Sequence, residues 1–164
     1  MITEKDFICK GNGSFVRYNE ILYVDCKGGH LPSFGIDKYL LWFLNKIDKE
    51  YGIKITSGHR CFKHNLFSWA LLAFETGDTK SIKKYYSKHI YGKGSDFITK
   101  EYTGFTKLEH IVEGYRKKYG KNLWFKVYDI NEGRDSDNNH KLPYVHVQKR
   151  SLNSFNSGNF ISTI

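Results

Sequence analysis

At 164 residues, with 40% hydrophobic and 16% aromatic side chains, the chain is long enough for one well-packed domain and too short for most multidomain enzymes. Its 26 Lys and Arg against 17 Asp and Glu leave a formal charge of +9, which draws it to polyanions such as nucleic acid, anionic lipid or bacterial wall polymer. Twelve Phe, twelve Tyr and three Trp exclude a disordered polybasic tail.

The first residues, MITEKDFICKGNGSF, lack the apolar run of roughly 7–15 residues that a secretory signal needs, and no later stretch reaches the ~20 of a membrane span. The expectation is a product made in the cytoplasm without a signal peptide. After a Gly-Asn-Gly turn signal, FVRYNEILYVD (Phe15 to Asp25) reads as one or two short strands, and CKGGHLPSFG as loop. Ile36, Leu40, Phe43, Leu44, Ile47 and Tyr51 recur at helical spacing, with Gly52 as the stop. Ile53 to Thr56 predicts a strand running into SGHR, and Phe62 to Glu75 an apolar helix, followed by a basic helical piece, TKSIKKYYSK, that leads to His89. Gly94 to Thr99 predicts a strand, Lys107 to Tyr119 a helix, and Leu123 to Ile130 a strand. The polar NEGRDSDNNHKLP makes a hairpin tip before a last strand, PYVHVQK, and the tail from Ser151 is rich in Ser and Asn. Without repeats or linkers, this order gives one α+β domain, an antiparallel sheet flanked by helices, expected as a monomer.

Cys9, Cys26 and Cys61 are an odd set without CxxC spacing, so they read as ordinary packed thiols, with a Cys9–Cys26 contact as the exception to look for. His30, His59, His64 and His110 read as surface or satisfied core residues, His64 as a brace of the helix after Arg60. The aromatic residues of the periodic segments build core, and the Lys-rich stretches KSIKKYYSK and YRKKYGK form solvated faces that double as the best anion-binding surface.

Three segments place chemistry at strand ends: Thr56 to Arg60, Ser87 to Asp96, and Tyr144 to Val147. Zinc binds imidazole nitrogen and carboxylate oxygen well, and a catalytic zinc takes three protein ligands. His89, Asp96 and His146 supply such a set, with Gly92 and Gly94 letting the backbone between the first two fold back.

SKHIYGKGSD resembles the SxHxxGxAxD signature of the zinc D-alanyl-D-alanine carboxypeptidase and Hedgehog-fold superfamily. ITSGHRCFKHN is similar to the SGYRS…N segment that precedes that signature, and PYVHVQ to its closing FVHVD strand; the similarity covers about Cys26 to Gln148. The resemblance implies a small domain with a zinc site in a cleft, and Zn2+ at His89, Asp96 and His146. It implies Arg60 as the residue that holds a substrate carboxylate or carbonyl, and Ser87 as the serine opening the metal motif. The implied activity is metallopeptidase hydrolysis of peptidoglycan by a metal-activated water, as D-alanyl-D-alanine carboxypeptidase or stem-peptide endopeptidase. The chain departs from the pattern where relatives keep a catalytic carboxylate, since those positions hold Pro143 and Gln148. Asp135, Asp137, His140, Asp129 and Glu132 are the substitutes, with Asp137 and His140 closest to the closing strand. A second departure is the added length between Asn65 and Ser87. A small basic enzyme without a signal suits a phage-type endolysin or virion-associated lysin acting on the cell wall. The rival is a wall-binding module of the same fold that has lost its base. Nucleic-acid binding rests on charge alone and is not expected.

Overall fold

Alternating apolar residues in Leu123–Tyr128 and Tyr144–Lys149, and helical apolar spacing before and between the strands, set up a sheet with helices laid on one face. The computed structural model describes residues 1–33, 35–77, 87–130, 132, 137 and 141–151. Within them the order is β1 (Phe15–Tyr18), β2 (Ile21–Val24), α1 (Lys38–Tyr51), β3 (Ile53–Ser57), α2 (Phe62–Thr76), β4 (Gly94–Thr99), α3 (Phe105–Tyr119), β5 (Leu123–Tyr128) and β6 (Tyr144–Lys149). The described part is thus a mixed α+β structure with three helices and antiparallel sheets. The basic piece expected at 79–88 lies outside the described residues up to residue 86, as does the tail beyond Ser151.

β1 and β2 form a separate hairpin whose two-residue turn, Asn19-Glu20, has φ of 49° and 65°. Both turn residues have the positive φ that suits the right-handed twist of the strands. The main sheet runs β3-β4-β6-β5, each pair antiparallel. α1 starts where the Asp37 carboxylate accepts the Tyr39 and Leu40 amides, at 3.0 and 2.9 Å, and stops at Gly52 with φ 63°. Leu40, Phe43, Leu44 and Ile47 of α1 and Leu108, Val112, Tyr115 and Tyr119 of α3 pack on Ile55, Phe97, Phe125, Val145 and Val147. Phe43 meets Tyr115, Tyr119 and Phe125 edge-on, with ring centroids 5.3 to 5.4 Å apart.

α2 buries a smaller cluster, Phe67 and Ala70 with Val16 of the hairpin. The first nine residues are held as well: Phe7 is fully buried, and its carbonyl accepts the His59 amide at 2.8 Å. No helix among the described residues is long and apolar enough to cross a membrane.

Candidate metal centre

One register row crosses the sheet, with Ser57 opposite Asp96, Asp96 opposite His146, and His146 opposite Lys126. Strand alternation puts this row on the face away from Phe97, Val145 and Val147, and therefore away from α1 and α3. Ser57 reaches it only because the β3–β4 register shifts between Ile55 and Ser57; without that bulge Ser57 would share the core face of Ile55.

His89 arrives from the turn before β4. Ile90 N donates to Ser87 O at 3.0 Å and His89 N to Ser87 Oγ at 3.3 Å, so the Ser87 hydroxyl is turned into its own loop. Gly92, with φ 65°, packs so closely on the backbone of Gly35 that a Cβ there would collide with the Gly35 carbonyl. The Asp37 amide bonds Gly92 O at 2.9 Å, which fixes the His89 turn against the start of α1.

Each imidazole has one nitrogen spoken for. His89 Nδ1–H donates to Gly58 O at 2.6 Å, which leaves Nε2 facing Asp96 Oδ1 at 3.4 Å. His146 bonds Gln148 Oε1 through Nε2 at 3.0 Å and Asp96 Oδ1 through Nδ1 at 2.6 Å, and the Nδ1 proton is the one a metal ion would replace. The three donor atoms lie within 4.8 Å of one another in a buried setting. Metal-binding histidines commonly show this arrangement, the far nitrogen donating to an oxygen so that the near lone pair is fixed in place. The residues present therefore fit a metal ion. Burial opposes the Asp96 charge, yet the charges of His89 and His146 hold its carboxyl well below the usual carboxylate range. Burial likewise opposes a charged His146, and the Asp96 hydrogen bond raises its pKa all the same.

Arg60 is buried beside this set. Its Nη2 lies 3.4 Å from Asp96 Oδ2 and its Nε donates to Ser57 Oγ at 3.0 Å and Asp137 Oδ2 at 3.2 Å. Asp137 also accepts from Ser57 Oγ at 2.6 Å, and its other oxygen meets His64 Nε2 at 2.6 Å. His64 Nδ1 in turn meets Asp25 Oδ1 at 2.7 Å. Despite burial, the His64 hydrogen bond and the Arg60 charge hold the Asp137 carboxyl far down. Burial works against a charged His64 too, but its bonds to Asp137 and Asp25 raise its pKa.

No family profile, curated protein or solved structure matches the chain.

Of the residues singled out from sequence, His89, Asp96 and His146 come together, with Arg60 and Asp137 joined to them through hydrogen bonds. Ser87 serves the turn that carries His89. His140 and Asp135 lie outside the described residues. Sequence reading missed the bridge made by His64 and Asp25, because nothing in the spacing of residues 25, 64 and 137 marks them as neighbours. Among the cysteines, the Cys9–Cys26 contact named as the exception is present at 3.6 Å, and what the spacing gives no sign of is the third sulfur, of Cys61, within 4.8 Å of both.

Proposed function

We propose that this protein is a zinc-dependent peptidase of bacterial peptidoglycan, built on a Hedgehog and D-alanyl-D-alanine carboxypeptidase type of fold. The observation that carries the reading is the convergence of His89 Nε2, Asp96 Oδ1 and His146 Nδ1, from segments that resemble that superfamily's metal motif in order and spacing. When bound, zinc supplies a Lewis acid for the scissile carbonyl and brings the pKa of a water toward neutrality. The protein's own part is to hold the three donors ready: Gly58 O and Gln148 Oε1 set the two imidazoles, and Arg60 steadies the second Asp96 oxygen.

Asp137, held so far down, is a poor proton acceptor. Within this reading it positions Arg60 and His64, and His140 is the other sequence candidate for the base. A groove of about 550 Å³, lined in part by Arg116, Lys117, Lys121 and Arg150, includes Trp124, whose ring lies edge-on to His146 at 5.8 Å. Basic side chains in a groove that reaches the half-buried Trp124 suit an anionic wall polymer.

The second reading, a wall-binding module without catalysis, is favoured by Pro143 and by Gln148, whose side chain is used by His146. The test is release of muropeptides from purified peptidoglycan by the zinc-loaded chain. Release that is abolished in His146→Ala supports the peptidase; binding without release establishes the module instead.

A further inference from the structure

The cysteines sit apart from the triad, and two of them occur in the same tripeptide, Cys9-Lys10-Gly11 and Cys26-Lys27-Gly28. The glycines allow these segments to touch. A Cβ on Gly11 would collide with Cys26 Sγ, and one on Gly28, at φ 78°, with the Gly11 carbonyl. The close approach sets Cys9 Sγ 3.6 Å from Cys26 Sγ. Cys61 joins them as the N-cap residue of α2.

We propose that Cys9, Cys26 and Cys61 hold a second, structural zinc ion. Two thiolates on a tetrahedral zinc with bonds of ~2.3 Å stand about 3.8 Å apart. The observed 3.6 Å is close to this, and far from the roughly 2.05 Å of a disulfide. Each sulfur also accepts one backbone amide: Gly28 N to Cys26 Sγ at 3.3 Å, Cys61 N to Cys9 Sγ at 3.5 Å, and His64 N to Cys61 Sγ at 3.4 Å. Donors aimed at sulfur stabilise the negative charge that a ligating thiolate carries. Asp25, with a ligand atom within 4.8 Å of Cys26 Sγ, is the neighbouring protein donor for the fourth position. The ion would tie the N-terminal segment, the end of the β1–β2 hairpin and the start of α2 into one corner, where α2 and the hairpin share a small apolar cluster.

The proposal is independent of the peptidase reading, and cobalt separates the two. The His89→Ala, His146→Ala variant, loaded with Co2+, is expected to show near-ultraviolet sulfur-to-cobalt charge-transfer absorption, which Cys61→Ser removes. In the unmutated full chain, free Zn2+ at about ten times its Kd should slow alkylation of the cysteines about tenfold, and a chelator should reverse this. Absence of the thiolate band overturns the proposal, as do alkylation rates that Zn2+ leaves unchanged. A Cys9–Cys26 disulfide in the non-reduced peptide map of freshly purified protein overturns it as well. The alkylation arm needs no variant, so a Cys61→Ser chain that fails to fold leaves the test intact.

Discussion

Replacing Arg60 with Met keeps most of the side chain's length and removes its charge. The guanidinium is 4% exposed and lies 3.4 Å from Asp96 and 3.2 Å from Asp137, whose side chains are 3% and 1% exposed. At an effective dielectric of about 20, each contact is worth roughly 5 kcal/mol of Coulomb energy, most of it offset by desolvation of the same groups. Removing the cation alone leaves that desolvation uncompensated, a loss of about 3–5 kcal/mol for a broken buried pair. For a chain of this size that corresponds to a fall in Tm of about 6–20 °C. The assay is urea unfolding of the metal-free protein followed by tryptophan fluorescence. Asp137→Asn in the Arg60→Met background should recover at least about 1 kcal/mol, because one of the stranded charges is gone. A loss below about 1 kcal/mol for Arg60→Met, or strict additivity of the pair, would refute the idea that Arg60 neutralises both carboxylates.

Gln148→Leu removes the acceptor of His146 Nε2–H, so zinc affinity should fall about 10–100-fold in a chelator competition while the far-ultraviolet spectrum is unchanged. Gly58→Ala would place a Cβ 2.5 Å from Phe7 Cα, in backbone that cannot yield cheaply. It should cost about 1–3 kcal/mol in urea unfolding and weaken zinc binding as well, since Gly58 O orients His89. The Ile53 amide, bonded to Asp48 at 2.9 Å, lowers that carboxyl's pKa, with help from the Met1 ammonium at 3.2 Å. A depressed carboxyl contributes stability that is fully present above its unfolded value of about 3.9 and is lost as pH falls through the lower folded value. Asp48→Asn should therefore be less stable than the parent at pH 7, and the gap should close as pH falls through the folded value. Phe43→Ala, which empties the centre of the core, should cost about 3–5 kcal/mol by the same unfolding measurement.

The helices and strands were legible because their signals are local. Apolar spacing from Ile36 to Tyr51 marks α1, and the structure adds only that Asp37 supplies its cap. Gly94 to Thr99 is a strand with the boundaries read from sequence, while the strand expected to reach Ile130 ends at Tyr128, ahead of the polar tip. The His89 and Asp96 pairing was legible because both lie in one ten-residue segment. His146, expected as the third ligand from its place on a separate strand and from the similarity, is carried to Asp96 by strand register. What local pattern could not reveal depends on long-range packing. Cys9, Cys26 and Cys61 meet only after the hairpin and the N-terminal segment close on the start of α2. The role of His64 needs Asp25 from one side and Asp137 from the other, and Asp137 is 73 residues away in sequence.

The β1–β2 hairpin shares no strand with the main sheet and, by topology alone, looks like an appendage that could be trimmed. Yet the residue that follows β2, Asp25, anchors His64, which holds Asp137, which holds Arg60, which touches Asp96. A minimal domain cut to begin at α1 would keep every residue of the His89 triad and all four strands of its sheet. It would still leave the His64 imidazole in the interior with one of its two carboxylate partners missing, directly beside the excision and three links from Asp96. Grafting this centre onto another scaffold thus means transplanting the hairpin with it.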